Sequence, residues 1–157
     1  MIIVSKWKKI DASGYILGRL CSKIAKRALL GEKIVITNAK FLEISGNRRQ
    51  IIDKYQQYKN VKTASNPKKG PFRVGIRPDI FVRKTIKGML PKNERGKKAI
   101  SLIHVYITEI PADKNQYGEC EDFSLGEKFQ ADNLGKKTVT VEDLCKVIGW
   151  NQGGLVK

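Results

Sequence analysis

Residues 59–98 carry thirteen lysines and arginines against two acids, Asp79 and Glu94, a local charge of +11. Such a stretch cannot be folded into an interior, because ionised side chains removed from water must be paired and partners are too few here. It reads as two loops and a helix whose cations lie on a different face from its apolar residues. A positive field this concentrated also repels itself unless a polyanion neutralises it. Phosphate backbones do so, and the counterions they release add salt-sensitive affinity. The plainer reading is a solvated basic loop with no fixed partner. Against it, Gly, Pro and aromatic residues punctuate the charge in a pattern.

The imbalance is regional. Residues 1–112 hold 25 basic and 7 acidic side chains, whereas residues 113–157 hold 6 and 8. One part of the molecule is suited to a polyanion and the other is not. A chain of 157 residues suggests one domain, 1–157, able to bury about two-thirds of its unfolded surface. Its apolar runs are only a few residues long, so no membrane partner is expected. The first residues show no signal-peptide pattern. Cys21, Cys120 and Cys145 are widely spaced and His104 is the sole histidine. Incidental thiols in a reducing cytoplasm are expected, with no metal and no cofactor. No Ser/His/Asp, paired-carboxylate or Cys/His arrangement supports an enzyme.

Periodicity divides the chain into alternating elements. Residues 2–10 read as a strand and Asp11-Ala-Ser-Gly14 as a turn. Residues 16–30 read as a helix, with Ile16, Leu17, Leu20, Cys21, Ile24 and Ala28 on its apolar face. Lys23, Lys26 and Arg27 lie off that stripe, and Gly31 suits the C-cap. The β-branched run 33–37 reads as a buried strand, so strand, helix and strand form a parallel βαβ unit. A short extended piece at 41–45 and a helix over 47–58 follow. Residues 59–76 read as a long loop, 78–90 as a helix with Val82, Ile86, Met89 and Leu90 inward, and 92–98 as a second basic loop. Residues 100–107 read as a core strand and 111–138 as irregular. A last helix, 141–150, is opened by Thr140 with Asp143 three residues on.

The stretch from Asp11 to Lys26 closely resembles the opening pattern, DAxGxxLGRLASxIAK, of the large-subunit ribosomal protein L-thirteen family, with Cys21 in place of a small alanine. Collinear matches follow at Val35 to Ala39, Ile44-Ser45-Gly46, Lys54-Tyr55, Arg77-Pro78, Lys87-Gly-Met-Leu-Pro-Lys92 and Val105-Tyr106. Lys87 stands where the family commonly has Arg, which keeps the charge and loses bidentate geometry. The resemblance covers about residues 5–110, and the divergent region 111–157 looks archaeal in type. It implies an α/β fold, a three-layer α/β/α domain around a small, mostly parallel sheet with basic loop extensions. It also implies a structural constituent of the large ribosomal subunit, in the cytoplasm, that binds large-subunit rRNA and acts early in assembly. Neighbouring large-subunit proteins are the implied partners, and no homo-oligomer is expected.

The candidate rRNA contacts are Lys59, Lys62, Lys68, Lys69, Arg73, Arg77, Arg83, Lys84, Lys87, Lys92, Arg95, Lys97 and Lys98, with Arg48 and Arg49 as secondary ones. Arg83, Lys84 and Lys87 fall on one helix face, where they can track a phosphate strand. Gly70 and Gly75 are expected to allow close backbone approach to RNA. Phe72 and Phe81 suit core packing better than base stacking. The Gly14-x-x-x-Gly18 spacing lacks a P-loop ending and reads as a tight turn. His104 reads as a satisfied core or edge residue. The acids around Gly118 and Gly126 form a solvated loop or meet a basic neighbouring protein. Two other functions compete: a free RNA-binding regulator acting off the ribosome, and an enzyme holding a phosphorylated substrate.

Overall fold

A strand buried on both faces needs an apolar residue at every position, and Ile34-Val35-Ile36-Thr37 comes close to that. All four residues are buried, and Thr37 satisfies its hydroxyl by donating to the Ile10 carbonyl at 3.3 Å. This is β2 (Ile34–Thr37), one of the two inner strands of a four-stranded sheet in a computed structural model of the chain. The structure describes residues 6–61, 75–111, 117, 120–124, 126, 129–131 and 137–151.

Strand β1 (Lys8–Asp11) pairs with β2 in parallel, Ile10 opposite Ile36, and α1 (Leu17–Leu29) connects them. The expected βαβ unit is therefore present. All six residues expected on the apolar face of α1 are buried. Its C-terminus closes on Gly31 at φ +90°, with the Glu32 amide donating back to the Arg27 carbonyl. Strand β1 starts at Lys8, and residues 2–5 of the expected strand lie outside the described residues.

A one-turn 3-10 helix (Ala39–Phe41) leads to β3 (Glu43–Ser45) and α2 (Arg48–Asn60). Helix α3 (Pro78–Met89) begins on its proline, as expected. Phe81, Val82 and Ile86 are buried, but Met89 is exposed. The inward face is rotated toward Phe81, which meets the Tyr55 ring edge-on at 5.3 Å. Phe81 thus packs in the core rather than standing ready to stack on a base.

Residues 92–98, read as a loop from their charge, mostly form α4 (Glu94–Ser101). Asn93 caps it by accepting from the Gly96 amide at 3.0 Å. Lys, Arg and Glu are good helix formers, so high charge alone does not make a loop. Helix α4 takes Ile100 and Ser101 from the expected strand, leaving β4 (Ile103–Val105) parallel to β2.

The region read as irregular contributes β5 (Glu121–Asp122), parallel to β1, and the start of β6 (Thr138–Thr140), antiparallel to β3. The main sheet runs β4-β2-β1-β5 and is parallel throughout, while β3 and β6 form a second, two-stranded sheet. Helix α5 (Val141–Ile148) follows, its Thr140 hydroxyl accepting from the Asp143 amide at 3.2 Å. Ile10, Ile34, Ile36 and Ile103 share one sheet face and pack with Leu20, Ile24, Val82, Ile86, Leu144 and Ile148. The alternate positions, Val35 and His104, face the other way. There His104, Trp7, Tyr106 and Tyr117 form an aromatic cluster. The result is a mixed α/β architecture around a mostly parallel sheet.

Gly96 lies against Pro91, and a Cβ at this position would overlap the proline carbonyl oxygen. Gly96→Ala should therefore cost more than about 2 kcal/mol in chemical denaturation. Gly88→Ala has open space and should gain about 0.5–1 kcal/mol. Equal effects at the two sites would contradict this packing.

Candidate nucleic-acid interface

The basic side chains are carried by three helices whose other faces are committed to packing. In α2, Ile51, Ile52 and Tyr55 lean on the core while Arg48, Arg49 and Lys54 are exposed. The Asn47 side chain caps this helix, accepting from the Arg49 amide at 3.2 Å. Arg48 and Arg49 thus sit at the positive end of the helix dipole, where cations oppose helix formation. Their placement is not a folding device.

In α3, Arg83, Lys84 and Lys87 are exposed, opposite the buried Phe81, Val82 and Ile86. Arg77, just before the helix, pairs with Asp79 at 2.9 Å. In α4, Lys97 pairs with Glu94 at 2.6 Å, and Arg95 donates to the Leu29 carbonyl at 3.3 Å. Lys92 and Lys98 are exposed. Lys59 donates at 2.5 Å to the Ile148 carbonyl at the C-terminal end of α5. It ties α2 to α5 and favours the negative end of that dipole.

Helix α3 packs on α4, and its Phe81–Tyr55 contact joins it to α2. The described candidates therefore belong to one set of mutually packed helices. Lys62, Lys68, Lys69 and Arg73 lie outside the described residues, as do Gly70 and Phe72. Gly75 is used differently from expectation. A Cβ there would come within 2.8 Å of the Phe81 amide nitrogen, so its bareness serves packing against α3.

The carboxyl ends of β1 and β2 have another character. A cavity of about 530 Å³ is lined there by residues including Lys9, Asp11, Thr37, Asn38, Glu109 and Asp122. Asp11 accepts from the Ser13 amide and hydroxyl and from Asn38 Nδ2, at 2.8–3.1 Å. Burial pushes its carboxyl up, but these hydrogen bonds and the Lys9 charge outweigh that and hold it below the usual carboxylate value of 3.8. Its contribution to stability is thus present above about pH 4 and lost as the pH falls through the lowered value. Gly14, at φ +70°, makes the following turn. The Ile16 amide at the head of α1 donates to the Phe129 carbonyl at 2.9 Å, so this end serves chain packing.

His104 Nδ1 lies 2.6 Å from the Tyr117 hydroxyl, which also hydrogen-bonds Tyr106. The histidine is thus a satisfied, half-buried residue. Tyr117 lies in a segment read as irregular, and no periodic signal announced it. Burial pushes the Cys21 and Cys145 thiols up to about 12. Among the described residues, no group of three or more His, Cys, Asp or Glu side chains is arranged to hold a metal, and no helix is long and apolar enough to cross a membrane.

Residues 5–111 match the family model described as Ribosomal protein L13. The chain is similar to the large ribosomal subunit protein uL13 of Methanocaldococcus jannaschii, 38% identical over 89% of this chain and 96% of the relative. It is 40% identical to the Methanopyrus kandleri uL13 over 95% and 91% of the two chains. The Saccharolobus solfataricus uL13 is 32% identical over 90% and 92%.

Two measurements check these assignments. Lys59→Gln should lose about 1–2 kcal/mol of stability, whereas Arg83→Gln, Lys84→Gln and Lys87→Gln should each stay within about 0.5 kcal/mol. The reverse ranking would place the α3 face in the fold and Lys59 outside it. Separately, a water-soluble thiol reagent at pH 8 should modify Cys120 well before the buried Cys21 and Cys145. Equal rates would show that the buried pair is accessible.

Proposed function

The chain belongs to the ribosomal protein L13 family, and from that premise we propose that large-subunit rRNA anchors it through the basic region of α2, α3, α4 and the segment between α2 and α3. It is a structural constituent of the large ribosomal subunit and not an enzyme. The observation that carries the rRNA reading is the division of α3. Its inner face is fully used by the core, while its outer face presents Arg83, Lys84 and Lys87. Charge there does little for the fold and much for a phosphate strand. Lys62, Lys68, Lys69 and Arg73 add further charge in the sequence between α2 and α3.

A-form RNA offers proteins its backbone and a shallow minor groove, so recognition is by shape and phosphate position. Binding the folded state also stabilises it by mass action, which suits a protein that joins rRNA before its protein neighbours. Those neighbours are proposed to meet the weakly acidic side, where Asp11, Glu109 and Asp122 line the cavity.

Binding of the full chain to a large-subunit rRNA transcript should weaken steeply with salt. Neutralising about six to eight phosphates of a duplex-like site gives a log–log slope near −5 to −7. Replacing Lys68, Lys69 and Arg73 together should make it shallower by up to about three. An affinity nearly independent of salt would overturn the mechanism. In sucrose gradients the protein should sediment with the large subunit at high salt. A predominantly free pool would favour a regulator acting off the ribosome.

A further inference from the structure

Helix α1 presents a second cationic face outside the α2–α4 region. Lys23 and Lys26 are exposed and Arg27 is half-buried, and with Phe123, Ser124 and Phe129 they line a cavity of about 350 Å³ beside α1. There is no acid within α1. Among the described residues the acid lining the cavity is Glu32, which takes Arg27 at 3.3 Å and Lys8 at 3.2 Å. The Arg27 guanidinium stands 3.7 Å from the centre of the Phe123 ring, and Lys23 Nζ stands 5.5 Å from that of Phe129. Cations held over aromatic faces have already given up rotamer freedom, so less is lost when an anion arrives. Leu30, 71% exposed at the end of α1, leaves this side open to a large partner.

The location matters as much as the charge. Helices α3 and α4 both pack against β4, at one edge of the main sheet. Phe123 directly follows β5, at the opposite edge. The α1 cavity therefore opens toward the other flank of the molecule.

We propose that this outer face of α1 is a second seat for an RNA phosphate backbone, so that the protein clamps two rRNA segments from opposite flanks of one sheet. The inference rests on the rRNA-binding reading and extends it to residues outside the 48–98 region. Lys23 and Lys26 meet the phosphates, and Arg27 is their positioned neighbour, fixed by Phe123 and Glu32.

The test uses the full chain and a transcript of the large-subunit rRNA from the same organism. Lys23→Gln with Lys26→Gln should make the log–log salt slope shallower by about 1.4–1.8, the value for two phosphate contacts. Lys23→Arg with Lys26→Arg should restore it, and the melting temperature of the Gln variant should fall by no more than the loss of the exposed Lys23–Phe129 contact allows. The loss should add to that of Arg83→Gln, Lys84→Gln and Lys87→Gln combined. An unchanged slope in the α1 variant, with a clear loss in the α3 variant, would overturn the second seat and leave the rRNA reading standing. No loss in either would overturn both. An unchanged RNA slope with large subunits that lack a neighbouring protein would overturn the proposal and assign the face to an acidic protein partner.

Discussion

Strand β2 is the constraint on which the other elements depend. Its four residues are buried, so both faces of the sheet must be covered at this position. One face is covered by the apolar stripes of α1, α3 and α5 meeting Ile34 and Ile36. The other needs something to cover Val35 and His104, and the Trp7–Tyr106–Tyr117 cluster lies on that side. Tyr117 comes from the C-terminal region, as do β5, which extends the sheet beyond β1, and β6, which pairs with β3. The described residues after 111 are thus part of the architecture built around β2.

That demand on the inner faces leaves the outer faces to the charge. A helix with a closed apolar stripe has roughly half its circumference free. In α1 and α3 that half is filled with cations where fold stability asks only for polarity. The ion pairs among the described residues do not explain the excess, since the half-buried Glu32 serves both Lys8 and Arg27 and the others are weak. Arg77–Asp79, Lys97–Glu94 and Lys146–Glu142 are local pairs with at least one well-exposed partner, and such pairs contribute little. Net charge of +16 is a cost to the free protein. It becomes an asset only when a polyanion supplies the missing counter-charge.

Long periodic signals were legible in the sequence, and short ones only in part: β3 falls within the extended piece expected at 41–45. The β1–α1–β2 unit, the proline start of α3 and the Thr140 cap of α5 were readable because each joins a periodicity of several residues to a cap or turn residue. Strands β5 and β6, two and three residues long, are too short to display alternation and exist through their partners. Helix α4 was hidden by its own charge, since lysine density was read as loop when Asn93 and Gly96 were setting a helix start. The candidate site was legible as a composition, and its division of labour was not. That Lys59 ties α2 to α5, that Arg95 reaches Leu29 and that Gly75 lies against Phe81 are long-range facts. No local pattern encodes them.

This division of labour separates two kinds of lysine that composition treats alike. Lys59 gives its ammonium to a backbone carbonyl across 89 residues of sequence. Added salt changes such a close, partly buried bond little. Arg83 and Lys87 stand exposed on a helix whose packing is complete without them, and in the proposed reading their energetic consequence appears with an RNA partner. Salt therefore acts on the molecule in opposite senses. It screens the self-repulsion of the exposed set and relieves the free protein, and it weakens the hold that we propose the same set has on a phosphate backbone. A fold whose core and tie points are indifferent to salt, beneath a surface that responds to it, can be assembled and anchored by separate forces.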